Sequence, residues 1–128
     1  MEAGYTFFYE DGSDYHLWVV ISDPVSYEKD QVVFVRFNSY EEGKPGHDST
    51  CVLRPGDHPF LNRLTFVNYG RARWMPKDAL ERLLSYKTIS PKGDLQPNIL
   101  QAVQQGAGES RNIKEKFRML LVKQGIIE

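Results

Sequence analysis

The front of the chain alternates short apolar bursts with polar, turn-forming clusters, and this pattern predicts strands. Thr6-Phe7-Phe8-Tyr9 is the first burst, closed by Glu10-Asp11-Gly12-Ser13-Asp14, a polar cluster whose glycine marks a turn. His16 to Ser22 follows, and its almost unbroken apolar run predicts a central strand buried on both faces, stopped by Asp23-Pro24. Gln31 to Phe37 predicts a third strand, and the polar stretch from Asn38 to Ser49, with Gly43, Pro45 and Gly46, a loop. Thr50 to Leu53 predicts a short fourth strand before the turn Pro55-Gly56-Asp57. Arg63 to Tyr69 and Ala72 to Trp74 then predict a fifth strand and a broken continuation.

The period changes at Met75-Pro76-Lys77-Asp78. Proline suits the first helical position, and Ala79, Leu80, Leu83 and Leu84 share one face, which predicts a helix over 76–86. Ser90 to Asp94 reads as a loop. Leu95, Ile99, Leu100 and Val103 mark a second helix ending near Gly106-Ala107-Gly108. Ser110 is placed to cap a third, which carries Ile113, Phe117, Leu120 and Leu121 on one side and Gly125 just past its end. The expected architecture is one α+β domain, with a small antiparallel barrel or strongly curved sheet over 1–75 and helices over 76–128.

Composition changes this picture in two places. At 128 residues, 41% hydrophobic and 26% charged, the chain has the makings of a packed core and is neither disordered nor fibrous. Its net charge of −1 hides a division: residues 1–60 hold four basic and eleven acidic side chains, residues 61–128 twelve basic and six acidic. Such asymmetry either lets two halves pack together or offers the basic half to an anion. Cys51 is the sole cysteine, so no internal disulfide can form, and the apolar runs fall far short of the roughly 20 residues that cross a membrane. A soluble, cytoplasmic protein is expected.

Three groups of residues could carry chemistry. All three histidines, His16, His47 and His58, lie in the acidic part with Cys51, but no CxxC or HExxH pattern is present, so no metal and no cofactor is expected. Asp57-His58 at a Pro-flanked turn is a placement that suits an acid or base working near neutral pH; an exposed turn histidine is the plainer alternative. Arg63, Tyr69, Arg71 and Arg73 interleave cations with aromatics, as RNA-binding surfaces do, where guanidinium groups meet phosphates and rings stack on unpaired bases. The alternative there is an edge strand guarded by charge. Lys114, Lys116, Arg118 and Lys123 read as a solvated helix face.

His16-Leu17-Trp18-Val19-Val20-Ile21-Ser22 resembles a strand of the MazF/PemK-type toxins, sequence-selective endoribonucleases of toxin–antitoxin systems, which in that family starts Arg-Pro and ends in an apolar run plus Ser. Val33 to Ser39 is similar to the next strand, and Phe66 to Trp74 with the following Pro-Lys-Asp helix start is similar to the family's last strands and C-terminal helix. The resemblance spans residues 4–85. It implies an SH3-like antiparallel β-barrel followed by C-terminal helices, RNA as the substrate and an antitoxin-like protein as a partner. Small barrels also pair, which adds a homodimer to the expectations.

The departures bear on the chemistry. His16 stands where the family carries its catalytic arginine, Asn38 followed by Ser39 where it carries a threonine, and residues 86–128 have no counterpart in its compact members. Metal-independent RNA cleavage needs a base for the 2′-hydroxyl proton and a cation or acid for the charge that develops on phosphate. His16 and His58 would serve as base and acid, Ser39 as a hydrogen-bonding group, and Arg71 and Arg73 as phosphate ligands. The rival reading keeps the barrel without catalysis, as an interaction or nucleic-acid-binding module whose helical tail docks a protein.

Overall fold

The computed structural model describes residues 1–11, 14–24 and 31–128; the turn expected around Gly12 lies outside them. The chain runs through β1 (Tyr5–Asp11), β2 (Asp14–Val20), β3 (Gln31–Ser39), β4 (Val52–Leu53), β5 (Thr65–Pro76), α1 (Lys77–Ser85), β6 (Ile89–Asp94), α2 (Pro97–Glu109) and α3 (Glu115–Lys123). The strands form one antiparallel sheet in the order β4-β5-β3-β2-β1-β6. The fold is therefore α+β, a curled antiparallel sheet with three helices. Among the described residues the order is linear, with β4 and β6 at its ends.

Period-two alternation divides the core between the two faces of this sheet. Leu17, Val19, Ile21, Val33, Val35, Val67 and Tyr69 point to one face, where Val103 and Ala107 of α2 and Phe117 and Leu121 of α3 close over them. Phe7, Trp18, Val20, Val32 and Phe34 point to the other, covered by Leu80 of α1 with Ile89 of β6. Strands covered on both sides need apolar residues at every position, so the run from Leu17 to Ile21 is buried throughout.

Several local expectations are corrected. Residues 89–94 form an edge strand on β1 and not a loop: Ile89 pairs with Tyr9 and is 1% exposed, and Pro91 is tolerated because an outer strand has no partner waiting for its missing N–H. The nominally helical part of the chain thus contributes to the sheet. The fifth strand is continuous, but its pairing with β3 shifts between Phe34–Arg73 and Arg36–Asn68, a bulge that accounts for the apparent break. The fourth strand shrinks to Val52–Leu53. The third helix starts at Glu115; Ser110 ends α2 instead, with Oγ donating to Asp48 Oδ2 at 2.7 Å and accepting from the Asn112 N–H at 3.0 Å. Gly125 stands just past α3 at φ +74°, as a helix-ending glycine should.

Candidate functional site

The ladder between β2 and β3 ends at the Trp18–Arg36 pair, and from there outward side chains join the two strands. Alternation places His16, Arg36 and Asn38 on one face, next to Asn68 of β5. Asn38 Oδ1 accepts from Arg36 Nε at 3.2 Å and from Asn68 Nδ2 at 3.1 Å, which leaves Asn38 Nδ2 as the group facing His16 Nε2 at 3.3 Å. An amide nitrogen only donates, so this arrangement calls for an unprotonated Nε2 on His16. That is the form a general base requires.

A cleft of about 410 Å³ opens at the same strand ends. His16, Asn38 and Ser39 line it together with Arg63 from the loop before β5. Phe8, Tyr15 and Phe60 add aromatic walls. The expected residues His16, Ser39 and Arg63, far apart in sequence, thus meet in one concavity. Ser39 and Arg63 are exposed and His16 half-buried, so a ligand can reach all three.

The other expected residues lie elsewhere. His58 is 2% exposed and is not at the tip of a solvated turn: its Nδ1 accepts the Phe60 N–H at 3.1 Å, and its Nε2 lies 2.9 Å from Thr6 Oγ1, whose hydroxyl donates to the Gly93 carbonyl. These bonds set the neutral Nε2–H tautomer and pin the 54–64 loop to β1 and β6. Burial holds the His58 pKa below its ordinary value, with a hydrogen bond to the Lys92 backbone acting weakly the other way. A sealed imidazole bonded on both nitrogens is a structural part of the loop.

Tyr69 is also corrected, from a stacking surface to the core. It is fully buried under α2 and its hydroxyl donates to the Val103 carbonyl at 2.7 Å. Burial first, and then the neighbouring Cys51, raise its pKa far above the usual tyrosine range. Arg71 is exposed at the bulge of β5. Arg73 is on the α1 face, its guanidinium 5.4 Å from the Tyr9 ring centre and 6.0 Å from that of Phe34, while Trp74 on the opposite face packs against Phe117. Neither Arg71 nor Arg73 lines the cleft.

His47, Cys51 and His58 do not converge. His47 stacks on Phe66 with ring centres 4.8 Å apart, and Cys51 is buried, where desolvation raises its thiol pKa. Among the described residues no group of three or more His, Cys, Asp or Glu side chains is arranged to hold a metal ion. None of the described helices is long and apolar enough to cross a membrane. Reading the sequence missed Arg36 and Asn68 because their link to Asn38 exists only once β2, β3 and β5 are paired in register. Phe60 was passed over for its neighbour His58.

No family model matches the chain, and no curated protein does. Among solved structures the chain is similar to a chain of an endoribonuclease in complex with its cognate antitoxin from a mycobacterial species, with a TM-score of 0.56 at 16% identity. The match covers 89% of this chain and 95% of the other. At that identity the likeness is one of fold.

Proposed function

We propose that this chain is a toxin-like protein that contacts RNA and cleaves it without a metal, with an antitoxin-like protein as its partner. The observation that carries this reading is the meeting of His16, Ser39 and Arg63 in one open cleft, within a fold similar to that of a solved endoribonuclease. The curled sheet is taken as an opened form of the expected SH3-like barrel.

In this reading the Arg63 guanidinium pairs with the scissile phosphate and the Ser39 hydroxyl hydrogen-bonds to it. An incoming ribose 2′-hydroxyl displaces the long Asn38 contact and gives its proton to His16 Nε2. The 2′-oxygen bonds phosphorus, the bond from phosphorus to the 5′-oxygen breaks, and that oxygen takes a proton from water; the hydroxide left behind takes the proton held on His16, which restores the base. The products are a 2′,3′-cyclic phosphate and a 5′-hydroxyl. Arg36 and Asn68 hold Asn38, which in turn orients the imidazole.

The test is incubation of the purified protein with total RNA in EDTA, followed by mapping of the ends. The reading expects cyclic-phosphate ends, lost in His16→Ala. Intact RNA with both proteins refutes it and favours the non-catalytic module, a rival supported by His16 and Asn38 standing where arginine and threonine are expected.

A further inference from the structure

Two large rings at the cleft take no part in the buried core. Phe60 is 51% exposed and Tyr15 69% exposed, and both line the concavity. Exposed aromatics gathered at a concave site mark a contact surface. Phe60 is nevertheless held in place. Its N–H is bonded to His58, the Leu61 N–H bonds the His58 carbonyl at 2.9 Å, and its ring meets Phe8 edge-on with centres 5.4 Å apart.

A cation is built onto this pair. Lys92 Nζ, carried by β6, lies 5.2 Å from the Phe60 ring centre and 5.3 Å from that of Phe8. Arg63 lines the cleft three residues beyond Phe60. A purely apolar ligand would gain nothing from two cations, and a duplex keeps its bases stacked inside. A single-stranded nucleotide uses both features, because its base has a free face for a ring and its phosphate a charge for an ammonium or guanidinium.

Resting on the RNA reading of the cleft, we infer that Phe60, backed by Phe8 and flanked by Lys92, forms with Tyr15 a stacking subsite for one unpaired nucleobase. The position of Phe60 is set by the loop's bonds to β1 and β6, so the ring is presented before any ligand arrives. Preorganisation of this kind lowers the ordering cost of binding.

The experiment uses the full chain and short single-stranded oligoribonucleotides, 2′-O-methylated to block cleavage and carrying 2-aminopurine at successive positions. One position is expected to be quenched on binding. Phe60→Ala should remove that quench and weaken binding about tenfold, the size of one base–aromatic stack, and Phe60→Trp should restore both. An abasic site at the quenched position should weaken the unsubstituted protein equally and Phe60→Ala no further. Lys92→Met should weaken all the oligonucleotides alike and reduce the salt slope by about one. The side chains changed are exposed or partly exposed, and unaltered thermal midpoints will confirm folding. Unchanged binding and quench in both Phe60→Ala and Tyr15→Ala overturns the subsite and leaves the RNA reading standing. Failure of the unsubstituted protein to bind any of the oligonucleotides overturns both.

Discussion

The seam beneath α2 and the cleft at the ends of β2 and β3 use similar side chains to opposite effect. At the seam the Tyr69 hydroxyl turns inward and bonds the Val103 carbonyl, and α2 approaches so closely that a methyl group on Gly106 would fall 2.2 Å from the Tyr69 oxygen. At the cleft His16, Asn38, Ser39 and Arg63 stand where the β2–β3 ladder has ended, and none of the described helices lines it. The two histidines make the same contrast, His58 sealed in a loop and His16 facing a concavity. What separates a structural polar residue from an available one here is whether another element is packed over it.

This contrast predicts stability losses at the seam and functional losses at the cleft. Gly106→Ala should be the most damaging, about 3 kcal/mol in denaturant unfolding, because the neighbour that must give way is a fully buried, hydrogen-bonded tyrosine. If Gly106→Ala matched the unsubstituted protein, the close approach of α2 would be wrong. Asp48, held locally by the Thr50 N–H, ties the 40–50 loop to the junction of α2 and α3 through bonds from Ser110 and Asn112. Asp48→Ala should cost about 2 kcal/mol. Burial alone would raise the Asp48 pKa, but the bonds outweigh it and the net shift is downward. Its stabilisation is therefore present above its ordinary value and lost as pH falls through the lower folded value.

His58 gives a smaller effect at milder pH. Its folded pKa lies below its ordinary value, so on acidification the unfolded chain takes up the proton first. Stability should be complete above about pH 6.5 and decline below it. Thermal midpoints against pH will show this decline, and His58→Gln should flatten it. A decline that survives the substitution assigns it to another group. The smallest stability change belongs to the cleft: Ser39→Ala, at an exposed position, should shift unfolding by no more than about 0.5 kcal/mol while reducing RNA cleavage. A large stability loss there would erase the distinction between the two regions.

The apolar run from Leu17 to Ile21 declared a strand covered on both sides, and the spacing of Leu80, Leu83 and Leu84 declared the inner face of α1. Gly125 marked the end of α3. Such features are local, since they depend on the geometry of one helix or strand meeting an apolar surface of any origin. The site was partly legible: His16, Ser39 and Arg63 were singled out by residue type and by a family resemblance, and Arg71, Arg73, Tyr69 and His58 were singled out beside them with equal warrant.

Only the tertiary structure separated these groups. The sequence by itself determined which segments alternate and which side chains could ionise, bond or stack. It did not determine that residues 89–94 would find β1, that α2 would close over Tyr69, or that the 54–64 loop would fold His58 against Thr6. Those outcomes depend on pairing and packing between residues as much as 89 positions apart, as with Tyr5 and Asp94. Periodicity shows which way a side chain faces, and only the partner that arrives there decides whether it is buried as structure or left open to a ligand.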